Sequence, residues 1–128
     1  MDILVLMARV FFSMLFILSG FGHLSQRRMM AQYARSKNVP APRLAVLVTG
    51  VMIIFGGFSV LLGAFVKYGA LLLVVFLLVA AYMMHGFWRV DDPVARQNEM
   101  VHFMKDLSLA GAAFLIWYHG TGPFSLMG

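Results

Sequence analysis

His102, Lys105 and Asp106 stand at i, i+3 and i+4 within QNEMVHFMKDLSLAGAAFLIWYHG, residues 97–120. On a helix that spacing puts an imidazole, an ammonium and a carboxylate on one side. Such a set can donate hydrogen bonds, accept them and pass protons. The apolar part of the segment, Leu107 to Tyr118, is about 12 residues, whereas a helix needs about 20 to cross a bilayer. A span built here must carry all three groups inside, about one to two turns below the interface. Ionisable groups at that depth are costly and usually face a protein interior or a wet cavity.

The rest of the chain has to position that cluster in a membrane. Of 128 residues, 62% are hydrophobic and 12% charged, with mean hydropathy +0.87. A soluble domain is about half apolar and about a quarter charged. The length suits one domain, residues 1–128, of four crossings joined by short loops: an all-α, polytopic membrane four-helix bundle. A net charge of +5 does not indicate nucleic acid, because the basic residues sit between apolar spans, where they read as topology signals. With no cysteine, the chain cannot itself carry out thiol–disulfide exchange or hold a thiolate-bound iron–sulfur cluster. Asp2 stands where a signal peptide would be positive, and Arg9 interrupts the first apolar run. That run therefore reads as a retained helix.

The pattern predicts spans at about 3–24, 44–65, 69–88 and 98–119. Arg27, Arg28, Arg35, Lys37 and Arg43 crowd the first loop, where Met29, Met30, Tyr33 and Ala34 form the apolar side of a short interfacial helix. Gly50, Gly56, Gly57 and Gly63 in the second span suit close helix packing. Val66 to Tyr68 reads as a tight turn, and Pro93 as a residue able to start a helix. The first loop has five Lys or Arg, the second has Lys67, and the third has Arg89 and Arg96. The first and third loops are then cytoplasmic and both termini outside.

In that arrangement His23, His85 and His102 share one depth on the cytoplasmic side, while His119 joins Trp117 and Tyr118 in an aromatic belt on the far side. Arg9 is 14 positions from His23, about 21 Å along a helix, so it is level with Ile116 rather than Asp106. It reads as an anchor snorkelling to the outer interface, or else as a binder of an anionic substrate or lipid head group.

Three functions fit these residues. The first is a site for a quinone or similar apolar carbonyl compound reached from the bilayer. His102 and Lys105 would donate to its oxygens, Asp106 or Glu99 would relay protons, and Phe87, Trp88 and Phe103 would form a flat wall. The second is haem or a metal at His23, His85 and His102, a reading that no local ligand motif supports. The third is a non-catalytic subunit that anchors or stabilises a partner or a second copy, for which Ser108, Gly111 and Ala112 suit close helix contact. The alternative to any oxidoreductase role is a structural or small-molecule-handling membrane protein with no redox part. In any redox role the flavin, haem or cluster would belong to another polypeptide. Lys105 and Asp106 could also simply bond to neighbouring helices and fix their register. Arg96 and Glu99, at i and i+3, read as a solvated pair.

Several pieces occur in an order that resembles the DoxX family of small four-helix bacterial membrane proteins. These are Arg9 with FILSGFGHL (16–24), Tyr33 followed by NVPAPRLA (38–45), IFGGFSVLLGAF (54–65), AAYMMHGFW (80–88), HFMKDLSLAGA (102–112) and the tail GTGPFSL. The family pattern usually has Lys-Asn where this chain has Lys105-Asp106, so the carboxylate at 106 is an addition. The resemblance implies a four-helix bundle in the bacterial inner membrane. It also implies a link to membrane oxidoreductase systems, including quinone-linked thiosulfate oxidation in some members.

Overall fold

A computed structural model describes residues 1–127. Five helices follow one another: α1 (Asp2–Ser25), α2 (Arg27–Ser36), α3 (Pro42–Leu62), α4 (Val66–Met84) and α5 (Pro93–His119), with a 3₁₀ turn, Phe87–Arg89, between the last two. No strand occurs among the described residues. Four of the helices are long and apolar enough to cross a membrane; α2 is the short one in the basic loop. The protein is thus an all-α, four-span membrane protein.

The element ends explain where the sequence reading was displaced. α3 stops at Leu62 because Gly63 takes the left-handed conformation (φ 70°) and caps it. The turn is therefore Gly63–Phe65, and Val66–Tyr68 already belongs to α4. α4 ends at Met84 rather than near Trp88. Beyond it the Arg89 guanidinium folds back onto the carbonyls of Tyr82 and Met83, satisfying the last turn. α5 begins at Pro93, five residues before the expected start. Asp92 accepts a hydrogen bond from the Ala95 amide at 2.9 Å, and proline fits the first helical position.

The spans run up, down, up and down. Direct packing joins α1 to α3, α3 to α4 and α4 to α5, while no comparable contact closes the ring between α1 and α5. The core lies along this array, with Phe16, Ile53, Leu73, Leu77 and Ala113 at its centre. The α3–α4 crossing is close. A methyl placed on Gly56 would lie 2.9 Å from the Gly69 carbonyl oxygen and 2.7 Å from Leu73. Gly50 and Gly57 play the same part toward α1.

The end of the bundle bearing residues 63–65 and the tail is tied down by two cations. Lys67 Nζ donates to the Trp117 carbonyl at 2.8 Å and lies over that ring, joining the start of α4 to the end of α5. Arg9 is buried, and here the expectation of a snorkelling side chain is corrected. Its guanidinium donates to the carbonyls of Leu61, Thr121, Pro123 and Phe124 and to Ser125 Oγ. The Leu126 and Met127 amides then pair with the Leu62 and Gly63 carbonyls, both at 2.9 Å. The tail curls back over the bundle end because an arginine fork offers enough donors to satisfy several carbonyls at once.

Candidate functional site

At the opposite end, where the basic loop lies, the helices part around a cavity of about 570 Å³. Its wall is mostly apolar, with Phe16, Met52 and Phe76 prominent, and a few polar groups converge on it: His23, Tyr33, Thr49, Lys105 and Asp106. All five helices contribute. α1 and α5 both line the cavity, and their backbones approach each other far less than those of neighbouring spans.

Each polar group is held by a local cause. His23, in the last turn of α1, is buried and donates from Nδ1 to the Ser19 carbonyl at 2.7 Å, leaving Nε2 as an acceptor in the neutral ring. Its ring edge rests on Phe76. Asp106 is buried on α5 and only 6% exposed. Lys105 lines the same space while remaining partly in the open. Tyr33 comes from α2, whose Met30, Tyr33 and Ala34 all turn toward the cavity while Ala31 and Ala34 are buried. Met29, expected on that apolar side, is exposed instead. Burial and the facing Glu99 carboxylate hold the Tyr33 hydroxyl above its usual range, so it stays a neutral donor.

His85 is the pivot of the polar groups. It follows the last residue of α4, so no further helical turn covers it. Its Nδ1 lies 2.9 Å from Glu99 Oε2 and its Nε2 lies 3.8 Å from Asp106 Oδ2. Lys37 Nζ reaches the other Glu99 oxygen at 3.6 Å. Glu99 therefore belongs to this network and not to a solvated pair with Arg96, whose guanidinium sits over the Phe87 ring. His102 stacks on His85 with ring centroids 5.0 Å apart.

Of the residues singled out from sequence, His23, His85, Lys105 and Asp106 line one cavity. His102 touches the network only by stacking on His85, and is itself exposed. Phe87, Trp88 and Phe103 do cluster, with edge-to-face rings 5.3–5.4 Å apart, but they make a corner beside α5 instead of a cavity wall. Phe16 and Phe76 supply the aromatic wall. Arg9 is at the other end of the bundle. Tyr33, Lys37 and Thr49 were not foreseen as site residues. Tyr33 alone carried a signal, lying i+3 from Met30 on an amphipathic helix. Among the described residues no group of three or more His, Asp or Glu is placed to hold a metal ion. His23 stands on α1 while His85 and His102 pair between α4 and α5, so the three imidazoles do not converge as a ligand set.

Comparison with known proteins bears on the same chain. The DoxX family profile matches residues 4–86, which hold α1 to α4 and every cavity residue outside α5. Inner membrane protein YphA of Escherichia coli (strain K12) is 32% identical over 124 residues, covering 97% of this chain and 88% of that protein. Inner membrane protein YqjF of the same organism is 28% identical over 125 residues, 98% of this chain and 90% of that protein. These two alignments carry the similarity through α5 and into the tail. No solved structure matches the chain. The profile match over more than half the chain, on a four-span bundle, means that this protein belongs to the DoxX family.

Proposed function

We propose that this protein holds a quinone-like lipophilic molecule in the cavity at the basic end of its bundle. In this reading it sits in a bacterial inner membrane as a subunit or accessory of an oxidoreductase system. The observation that carries the reading is the cavity itself: a largely apolar space whose lining includes a few donors and one carboxylate. Its size falls within the range of sites for small molecules. Lys105 and the neutral Tyr33 hydroxyl can donate to carbonyl oxygens, and Phe16 and Phe76 offer flat apolar contact. The alternative is a packing role with no ligand, which would have Lys105 and Asp106 fastened to neighbouring helices. Among the described residues neither forms such a hydrogen bond. Asp106 meets His85 only at ion-pair distance.

Binding is measured with a short-chain ubiquinone analogue and the protein in mild detergent. Lys105→Ala should weaken binding about 10- to 100-fold, since a hydrogen bond to a charged group contributes about 1.5–3 kcal/mol. Ala80→Phe, which fills the cavity from α4, should abolish it. No binding by the native protein, or affinity indifferent to both changes, would leave only the packing reading.

The excess of Lys and Arg at the cavity end supports a cytoplasmic position for that end. Because the chain has no cysteine, single introduced thiols report sidedness cleanly. A membrane-impermeant maleimide added to intact spheroplasts should label Leu126→Cys, and should label Arg35→Cys only after lysis. The opposite pattern would put the cavity on the outer side.

A further inference from the structure

We infer that His85 is a proton relay joining Glu99, at the basic rim, to Asp106 in the cavity wall. This rests on the reading that the cavity takes a molecule whose oxygens exchange protons, and gives that site its proton supply. Glu99 and Asp106 are seven positions apart on α5, about 10.5 Å along its axis. Their carboxyls are too distant to exchange a proton directly. The His85 ring lies between them and presents one nitrogen to each, 2.9 Å from Glu99 and 3.8 Å from Asp106. Side-chain exposure is 25% at Lys37, 14% at Glu99, 20% at His85 and 9% at Asp106, so the path starts from partly exposed groups beside Lys37 and ends on its most buried member.

The step balances without any further reactant. A proton arriving on Glu99 passes to Nδ1 as the Nε2 proton passes to an Asp106 oxygen. The Glu99 O–H and Nε2–H bonds break, the Nδ1–H and Asp106 O–H bonds form, and Glu99 is left as the carboxylate. Without a ligand, return of the proton along the same atoms restores the first tautomer. Once Asp106 has passed its proton on, a half-turn of the His85 ring, which exchanges its two nitrogens, restores it for the next transfer. The longer distance exceeds a hydrogen bond, so transfer requires the pair to close by about 1 Å or to share a water.

Other charged or titratable groups face this path. Tyr33 on α2 and Lys37 just beyond it approach Glu99, and His23 on α1 lines the cavity. From α5, Lys105 lies beside Asp106 and His102 covers one face of the His85 ring. Of these, His102 is the imidazole that touches His85. Among the described residues it makes no hydrogen bond to either carboxylate, and it acts on His85 through stacking.

The test needs no ligand. Rapid mixing of the purified protein into D₂O is followed by infrared spectroscopy, reading the carboxylic C=O band that disappears in Asp106→Asn. In the native protein that band should shift to its deuterated position rapidly. In His85→Phe the shift should be slower by on the order of 10²-fold, the usual contribution of a positioned acid–base group. Glu99→Gln, which leaves the fold's charge-free contacts in place, should slow it as well. His102→Phe, which keeps an aromatic ring on His85, should not. Native-rate exchange in both His85→Phe and Glu99→Gln would overturn the relay. So would slowing confined to His102→Phe, or the absence of any carboxylic band that Asp106→Asn removes. Loss of quinone binding in the native protein would sink the ligand reading alone, because the exchange measurement contains no quinone.

Discussion

Replacing Arg9 by alanine should free residues 121–127 from the bundle end and cost about 3 kcal/mol of stability, the scale of one or two hydrogen bonds to a charged group. The guanidinium reaches five acceptors, among them Pro123 O at 2.6 Å and Thr121 O and Phe124 O at 2.8 Å. The sum of those bonds would overstate the loss, since a released tail can hydrate its carbonyls again. What cannot hydrate as easily is Leu61 O, near the buried end of α3, which also receives Nε and Nη2. Unsatisfied backbone groups are expensive at the edge of lipid. Arg9→Lys keeps the charge but loses the fork, so it should recover only part of the stability. Thermal unfolding in detergent gives the first readout. The second is maleimide labelling of Phe124→Cys, which should become faster when Arg9 is alanine. Unchanged melting with unchanged labelling would mean that the tail holds itself.

Arg9 also shows what sequence could and could not deliver. The depth of each residue was legible, because helix rise fixes how far His23 lies from Arg9 and puts Arg9 level with Ile116. The tail begins five residues after Ile116, so the end of the bundle was right. The partner was not readable, because the chain that turns back onto Arg9 is 112 positions away and has no periodic pattern. The same division holds at the cavity. Glu99, His102 and Asp106 follow helical spacing and lie on one stripe of α5, as their positions alone require. That His85 inserts its two nitrogens between the two carboxylates depends on where α4 breaks. Arg89 folding back on Tyr82 and Met83 sets that break, and no propensity scale reports it. Trp88 illustrates the cost: read as the end of a span, it would face the cavity, but past the helix end it joins Phe87 and Phe103 outside.

A second large effect is expected at the α3–α4 crossing. Gly56→Leu should destabilise the bundle by about 3 kcal/mol or prevent its assembly, because overpacking a well-filled contact costs about 1–3 kcal/mol and here the obstacle is backbone. The first added carbon would meet the Gly69 carbonyl oxygen at 2.9 Å, and a whole isobutyl group cannot be housed without separating the helices. Separation would also pull Leu73 and Ile53 out of the core and displace the α4 residues that wall the cavity. Quinone affinity should therefore fall together with the melting temperature. Gly111→Leu is the matched control. It puts the same side chain on α5, where an added carbon meets nothing within 4 Å. In a lone chain it should leave melting unchanged. If Gly111→Leu leaves melting unchanged but shifts the oligomeric state in detergent or weakens capture of a co-purifying protein, the small residues Ser108, Gly111 and Ala112 face a partner. If Gly56→Leu melts like the native protein, the close approach of α3 and α4 does not govern the stability of this bundle.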